Sequence, residues 1–172
     1  MIKKRKRKTA AEKRIEILKD AMLQIEAGRY KPAHGVYCSL NYESNFKISE
    51  IANSQTNPYA VELNKYLDVV ITPRKPCHVC AKGALAVSAI AKFNDYSLGR
   101  AKSQGITDAS DRARKYLGVR NADNMEIIFE SWRDKGISDK IIDKWYKRYP
   151  NSTKRILAIF RNAIRNKGIF KP

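Results

Sequence analysis

The chain has few of the residues that mark the more specialised protein classes. Its 172 residues include three cysteines, two histidines and two tryptophans. Three cysteines are a small and odd number for a disulfide framework, and they suit a reducing compartment. The longest strongly apolar stretch, residues 83–91, is about half the length that a membrane-spanning helix requires. We therefore expect neither a disulfide scaffold nor a membrane segment.

Motifs of the common enzyme classes are also absent. The chain contains no G-x-x-x-x-G-K-[ST], G-x-G-x-x-G, H-E-x-x-H or G-x-S-x-G pattern. Two carboxylate pairs, Glu126 with Glu130 and Asp139 with Asp143, have the four-residue spacing of a helix face. Their neighbours suggest ordinary solvent-exposed faces, and a carboxylate pair without a pocket is weak support for acid–base chemistry. The sequence therefore favours a protein that is not an enzyme.

Acidic residues are missing from both ends of the chain, and this absence gives the charge its pattern. Lysine and arginine number 35 against 17 acids, a formal net charge of +18. Residues 3–8 read KKRKRK, and residues 144–172 contain nine bases and no acid. No apolar segment follows the basic start, so we expect no secretory signal. The bases directly precede the N-terminus of the first predicted helix, which repels cations, so we expect a mobile arm there. A near-neutral body with cationic ends is typical of a protein that binds a polyanion, although such charge also aids solubility.

What the sequence does contain is a series of helix patterns. Thr9 and Glu12 form a capping box, and Gly28 is placed to end the helix that follows them. We predict helices over residues 10–27, from 58 to about 67, and over 80–93, 108–117, 123–134, 138–149 and 152–167, with short strands at 35–40 and 69–72. The predicted fold is mainly α, a single-domain helical bundle (residues 9–172) with a small β element, a basic arm at residues 1–8 and an optional three-helix subdomain at 121–168.

Two of these helices carry the predicted core. Apolar residues fall on every side of the helix at 80–93, which is typical of a helix buried all round. In the helix at 123–134, Met125, Ile128, Phe129 and Trp132 recur at helical spacing and predict its inner face. We expect the other elements to pack around the first of these helices.

The last two helices carry the predicted binding surface. Lys154, Arg161 and Arg165 fall within about 40° of one another on a helical projection, opposite an apolar face. Tyr146 lies among bases in KWYKRY and is the exposed aromatic expected to stack on unpaired bases. The last three helices also resemble a helix-turn-helix in outline, with a plain three-helix bundle as the alternative. The predicted nucleic-acid-binding residues are Lys3, Lys4, Arg5, Lys6, Arg7, Lys8, Lys144, Tyr146, Lys147, Arg148, Lys154, Arg155, Arg161 and Arg165.

Residues 77–80, CHVC, allow three interpretations. With His34 and Cys38, the thiols of Cys77 and Cys80 would supply a set of four zinc ligands. Cysteines at a helix N-terminus also suit redox chemistry, because the helix dipole lowers the pKa of a thiol. Buried thiols are otherwise small packing groups. The sequence favours packing and leaves zinc as the cofactor that the protein would take if it takes one.

The chain combines three features: an amphipathic first helix, AGRYKPAHGVY at 27–37 and CHVCAKGAL at 77–85. In this combination it resembles a group of small, uncharacterised bacteriophage-encoded proteins with a CxVCAxGAL helix motif. The resemblance covers the first half of the chain well and the second half in outline. Lys82 stands where that motif leads us to expect an apolar residue. The resemblance implies a phage origin and a location in the host bacterial cytoplasm. It implies no activity.

Charge and resemblance together lead to one hypothesis and two alternatives. The hypothesis is non-enzymatic binding, without a membrane, to nucleic acid or to a nucleoprotein such as a polymerase or a ribosome. The first alternative is a counter-defence protein that captures an acidic host protein or an anionic nucleotide signal. The second is a zinc-dependent or thiol-based enzyme. The sequence does not distinguish DNA from RNA.

Overall fold

The computed structural model describes residues 8–35, 38–39, 76–93 and 105–172 of the chain. Within these ranges it contains six helices and three short strands. In chain order they are α1 (Ala10–Glu26), β1 (Tyr30–Pro32), β2 (Cys38–Ser39), β3 (Cys77–Val79), α2 (Ala81–Phe93), α3 (Gly105–Leu117), α4 (Val119–Glu130), α5 (Asp139–Arg148) and α6 (Ser152–Arg165). The mainly α fold with a small β element is therefore confirmed.

Helix α1 begins and ends as its sequence dictates. The Thr9 hydroxyl accepts a hydrogen bond from the Glu12 N–H at 3.2 Å, and the Glu12 carboxylate accepts one from the Thr9 N–H at 2.7 Å. This capping box satisfies two N–H groups that the first turn would otherwise leave free. At the other end, Gly28 has φ +72°, a left-handed conformation that favours glycine. The prediction of a helix over 10–27 is confirmed to within one residue.

The three strands form a sheet in the order β1-β3-β2. The central strand β3 runs parallel to β1, with Cys77 opposite Tyr30, and antiparallel to β2, with Cys38 opposite Val79. Strand β2 lies inside the predicted strand at 35–40, whereas β1 and β3 were not predicted. Three residues are too few to show an alternating pattern in sequence. The strand predicted at 69–72 and the helix predicted from residue 58 lie outside the described residues.

Helix α2 lies at the centre of the core. Every residue from Ala81 to Ile90 is buried, and α1, α3 and α4 all pack against this helix. Its alanines keep the helix narrow, so neighbouring helices can approach closely. The prediction of a helix buried all round is confirmed, and it fixes the position of Cys80, which immediately precedes α2.

Helix α4 is displaced along the chain from its predicted range. It begins at Val119 and ends at Glu130, each four residues before the predicted boundary, and Ser131 takes a left-handed φ of +60°. Trp132 therefore lies beyond the helix and is 42% exposed. Its predicted place on the inner face is wrong because the helix ends before reaching it. Phe129 is fully buried as predicted.

Helix α6 joins the last part of the chain to the first. Its apolar residues Ile156, Ile159 and Phe160 belong to the same hydrophobic core as Ile17 and Leu18 of α1. The two helices pack directly on each other. This pairing brings the basic face of α6 beside α1, which the order of residues along the chain does not show.

None of the helices in the described ranges combines the length and the apolar character needed to cross a membrane.

Candidate functional site

A groove runs along the contact between α1 and α6. It has a volume of about 850 Å³. Apolar and aromatic side chains from α1, α5 and α6 line it: Met22, Leu23, Tyr149, Leu157, Ala158 and Ile164. Leu23 is 60% exposed, an unusually open position for a leucine beside other apolar groups. The apolar residues form a surface that a partner could cover.

Basic side chains surround this apolar lining. Four of them, Arg148, Lys154, Arg161 and Arg165, were predicted from the sequence, and α1 adds Lys19. Each of these five residues is exposed. The predicted residues lie on two different helices, and the fold brings them around one groove. We call these five residues with the groove they line the basic groove.

A second depression adjoins the basic groove and shares several of its lining residues. This smaller cavity, of about 250 Å³, is also lined by Arg148 and Arg165 and adds Lys144 and Lys171. Because the two depressions share two arginines, their cationic residues form one continuous surface. Trp145 and Tyr149 also line it, with ring centroids 5.5 Å apart; both are half-buried, and Trp145 packs against the core. The exposed part of each ring lies beside cations, where it can contact the bases of a nucleic acid.

One acid partly offsets the charge of the basic groove. Glu26 on α1 also lines the groove, and its Oε1 is 2.9 Å from Arg161 Nη2. Both side chains are about half exposed, so water screens the pair and it contributes little to stability. Such a pair is open to exchange, since a phosphate can replace the carboxylate as the acceptor of the arginine.

Several other predicted residues do not contribute to this groove. Lys147 is exposed but is not among the residues lining either depression. Lys8 pairs with the carboxylate of Glu16. Lys3, Lys4, Arg5, Lys6 and Arg7 lie outside the described residues, so the predicted arm has no structural account here.

Arg155 corrects the sequence-based prediction. It is 1% exposed, so it is not available to contact a nucleic acid. Its guanidinium donates to the carbonyls of Tyr149 and Pro150, at 2.8 and 3.1 Å, and lies 3.8 Å above the ring of Tyr146. Burial lowers the pKa of Arg155. This residue holds the α5–α6 connection in place.

Tyr146 is the second correction. It was predicted to be the exposed aromatic of the binding surface, but it is half-buried beneath Arg155. Its hydroxyl donates to the Phe129 carbonyl at 2.7 Å. A ring covered on one face and tied at its hydroxyl is not free to stack on a base. Arg155 is also one of the N-terminal residues of α6 that would contact the groove in a helix-turn-helix, and it faces inward.

A different cluster lies in the core, where α2 begins. The Cys80 sulfur and one carboxylate oxygen each of Glu126 and Glu130 all lie within 4.8 Å of one another. Cys80 is 1% and Glu126 2% exposed, and the Glu130 side chain is 5% exposed. Two carboxylates and a thiol so enclosed are rare without a compensating group. We call these three residues the acidic cluster.

Helix geometry builds the acidic cluster. Glu126 and Glu130 are one turn apart on α4 and therefore project from the same face. At the N-terminus of α2, the Lys82 N–H donates to Glu126 Oε2 at 3.0 Å, and the Gly83 N–H donates to the Cys80 sulfur at 3.4 Å. These are N–H groups of a first helical turn, which attract negative charge.

Burial sets the protonation of this cluster. It raises the pKa of Glu126 to about 7, although hydrogen bonds from Cys80 and Lys82 oppose the shift. Burial, with the nearby Glu126 carboxylate, raises the pKa of the Cys80 thiol well above its usual range. Burial also raises the pKa of Glu130, against a hydrogen bond from the Gly35 N–H. The Cys80 thiol is therefore protonated at neutral pH, which opposes the redox interpretation of CHVC.

His34 connects the acidic cluster to α6. Its Nε2 lies 3.0 Å from Arg155 Nη2, and because a guanidinium only donates, Nε2 is the acceptor. The imidazole proton is then on Nδ1, which lies 3.3 Å from Glu130 Oε2. The ring also stacks on Phe129, with centroids 4.8 Å apart. His34 thus fixes the orientation of the Glu130 carboxylate.

The zinc set predicted from the sequence is only partly represented in this arrangement. Cys80 belongs to the acidic cluster, and His34 contacts it through Glu130. Cys77 is buried on β3, opposite Tyr30, and does not belong to the acidic cluster. Cys38 lies on β2, but its side chain is outside the described part of the chain. Among the described residues, the group with metal-ligand spacing is Cys80, Glu126 and Glu130.

Glu126 and Glu130 are the residues that the sequence-based prediction missed. We expected them on a solvent-exposed face, and that expectation is wrong because both are buried. The sequence held a sign of this. Both glutamates occur in MEIIFE, where four apolar residues stand between or beside them and leave little room for an exposed face.

Comparison with protein-family models, with curated proteins and with solved structures finds no match for this chain.

Proposed function

We propose that this protein is a non-enzymatic binding protein whose basic groove receives the phosphate backbone of a nucleic acid, free or within a nucleoprotein. The observation that carries the proposal is the convergence of Lys19, Arg148, Lys154, Arg161 and Arg165 around one groove. Cations collected on one face raise the local concentration of a polyanion and neutralise its phosphates. Charge dispersed over the whole surface, serving only solubility, would not require this convergence.

The aromatic and apolar lining refines the proposal. Trp145 and Tyr149 lie among the cations of the continuous surface. Unpaired bases stack on such rings, whereas the bases of a duplex are already stacked on each other. We therefore propose a preference for single-stranded nucleic acid. The resemblance to bacteriophage-encoded proteins adds a setting to this proposal, the cytoplasm of an infected bacterium.

Binding affinities of charge-neutralised variants test the proposal. In K154Q/R161Q/R165Q, three groove cations are removed, and we expect the affinity for a labelled single strand to fall about 10–100-fold. The matched control is K31Q/R120Q/K135Q, which removes three exposed cations that do not line the groove. Fluorescence anisotropy at fixed salt measures both. Equal losses in the two variants would show that net charge, and not the groove, governs binding.

The exposed apolar lining favours a second candidate, an acidic protein segment with an apolar face. Leu23, 60% exposed, would be covered by such a partner but not by a phosphate backbone. The substitution L23Q removes this apolar contact without changing the charge. If the partner is a protein, L23Q weakens its capture, and nuclease treatment has no effect. If the partner is a nucleic acid, nuclease abolishes the capture and L23Q leaves it nearly intact.

A further inference from the structure

The acidic cluster is not used by the proposed binding function. It lies in the core between α2 and α4, whereas the basic groove lies between α1 and α6. Its three donor groups come from two well-packed helical elements that are far apart in sequence. Three ionisable side chains gathered in the interior need a cation or shared protons to balance their charge.

We propose that Cys80, Glu126 and Glu130 are the ligands of one divalent transition-metal ion, with zinc as the ion of choice. Their donor atoms are already within 4.8 Å of one another, so small side-chain shifts would bring them to the spacing around a single ion. One thiolate with two carboxylates suits zinc, whose sites combine sulfur and oxygen ligands. Three protein ligands would leave a fourth position for water or an exogenous ligand.

The nearby cations Lys82 and Arg155 act on the carboxylates of the cluster through space, but neither forms an ion pair with Glu126 or Glu130. The Lys82 ammonium lies 2.7 Å from Asp123 Oδ1, and Asp123 also accepts from Arg114. The Arg155 guanidinium is directed at the carbonyls of Tyr149 and Pro150 and at His34. Lys82 and Arg155 therefore leave the carboxylates of Glu126 and Glu130 available as metal ligands.

Protons occupy the cluster in the absence of a metal. A thiol must lose its proton before its sulfur can bind a metal ion, and a protonated carboxyl group must do the same. Binding of M²⁺ would form the metal–sulfur and metal–oxygen bonds and release the thiol proton, together with any carboxyl proton, to solvent. No oxidant or reductant is needed. Metal affinity should therefore rise with pH.

The surroundings of Glu130 are those of an oriented ligand. The Gly35 N–H donates to both carboxylate oxygens, at 3.1 and 3.0 Å, and His34 Nδ1 lies 3.3 Å from Oε2. Hydrogen-bonded partners of this kind hold metal-binding carboxylates in position. The His34 side chain, which contacts Glu130, is 41% exposed. We expect an ion to enter the cluster from this side.

Metal analysis and cobalt spectroscopy test the inference on the full chain. After chelation and dialysis, Zn²⁺ should rebind at one ion per chain by mass spectrometric metal analysis. Co²⁺ should produce a thiolate-to-cobalt charge-transfer band in the near ultraviolet. The variants C80S and E126Q should lose the site, and C80S should also lose the band. H34Q should keep the band and lower affinity about 10–100-fold.

A matched cysteine variant distinguishes the proposed ligands Cys80, Glu126 and Glu130 from the zinc ligands predicted from the sequence. C77S changes a buried thiol outside the cluster, so it should bind the metal as the parent does. Circular dichroism checks that each variant is folded. If C80S fails to fold, the isosteric E126Q and the half-exposed H34Q carry the test. Loss of metal binding in C77S would overturn the inference. So would the absence of the cobalt band together with far less than one bound ion per chain.

Discussion

At the scale of single residues, Arg155 shows how much the burial of two adjacent residues can differ. Lys154 and Arg155 are adjacent bases at the start of α6, and Lys154 is exposed while Arg155 is buried. A rotation of about 100° per residue separates their directions. Arg155 uses this inward direction to bind two carbonyls of the α5–α6 connection and to cover Tyr146.

Replacing the Arg155 side chain should therefore lower the free energy of unfolding. The substitution R155M removes the hydrogen bonds to the part-buried carbonyls of Tyr149 and Pro150 and the contact of the guanidinium with Tyr146, so we expect a loss of about 2–4 kcal/mol in the free energy of unfolding. Urea denaturation measures the difference. The control K154M changes an exposed neighbour and should stay within about 0.5 kcal/mol of the parent. Similar small effects for both variants would contradict the structural role of Arg155.

At the scale of elements, the end of α6 depends on one glycine. Gly168 has φ +86°, and a Cβ atom at this position would lie 2.9 Å from the Cβ of Arg14 on α1. The turn after α6 is also tied down by Asn121, which donates to the Gly168 carbonyl at 2.8 Å and accepts from the Phe170 N–H at 2.7 Å. The C-terminal residues thus dock against α1 and α4 at a point where only glycine fits.

Two glycine substitutions separate backbone strain from steric overlap. G136A adds a methyl group at φ +92° into open space and should cost about 1 kcal/mol, the cost of the left-handed backbone alone. G168A adds the contact with Arg14 and should cost about 2–3 kcal/mol. Thermal or urea unfolding of both variants gives the comparison. Equal costs would mean that α1 and the α6 turn separate readily.

At the scale of the whole molecule, the net charge of +18 acts through its placement. The pairing of α1 with α6 adds Lys19 to four cations from the last part of the chain. If all five contact duplex DNA phosphates, they account for a slope of about −4.5 in log affinity against log salt. A single strand gives about −3.5, because its charge density is lower.

The salt dependence of binding therefore tests whether the fold brings these five cations to one phosphate-binding surface. On a DNA duplex, K154Q/R161Q/R165Q should make the log–log slope shallower by about 2.7. The control K31Q/R120Q/K135Q should leave the slope close to that of the parent. Anisotropy titrations over a salt series measure it. A parent affinity that does not change with salt would remove phosphate contact as the basis of binding.

Much of the fold could be predicted from the sequence because its causes are local. The capping box at Thr9 and Glu12 and the apolar residues around α2 predicted both helices correctly. The basic face of α6 was predicted from helical spacing, and Lys154, Arg161 and Arg165 are all exposed. Helix ends were less certain: α4 ends at Glu130, before the predicted stop at a later glycine, because Ser131 itself adopts the left-handed conformation.

The sequence by itself determined the helical character of the chain, the burial of α2 and the accumulation of cations near its ends, since periodicity, capping and charge are properties of short segments. Only the tertiary structure decided which cations share a groove and which glutamates lie in the core. Those outcomes depend on the pairing of α1 with α6 and of α2 with α4, contacts between segments far apart in the chain. A side chain's surroundings are set by what packs against its helix, and that partner is not encoded within the helix's own pattern.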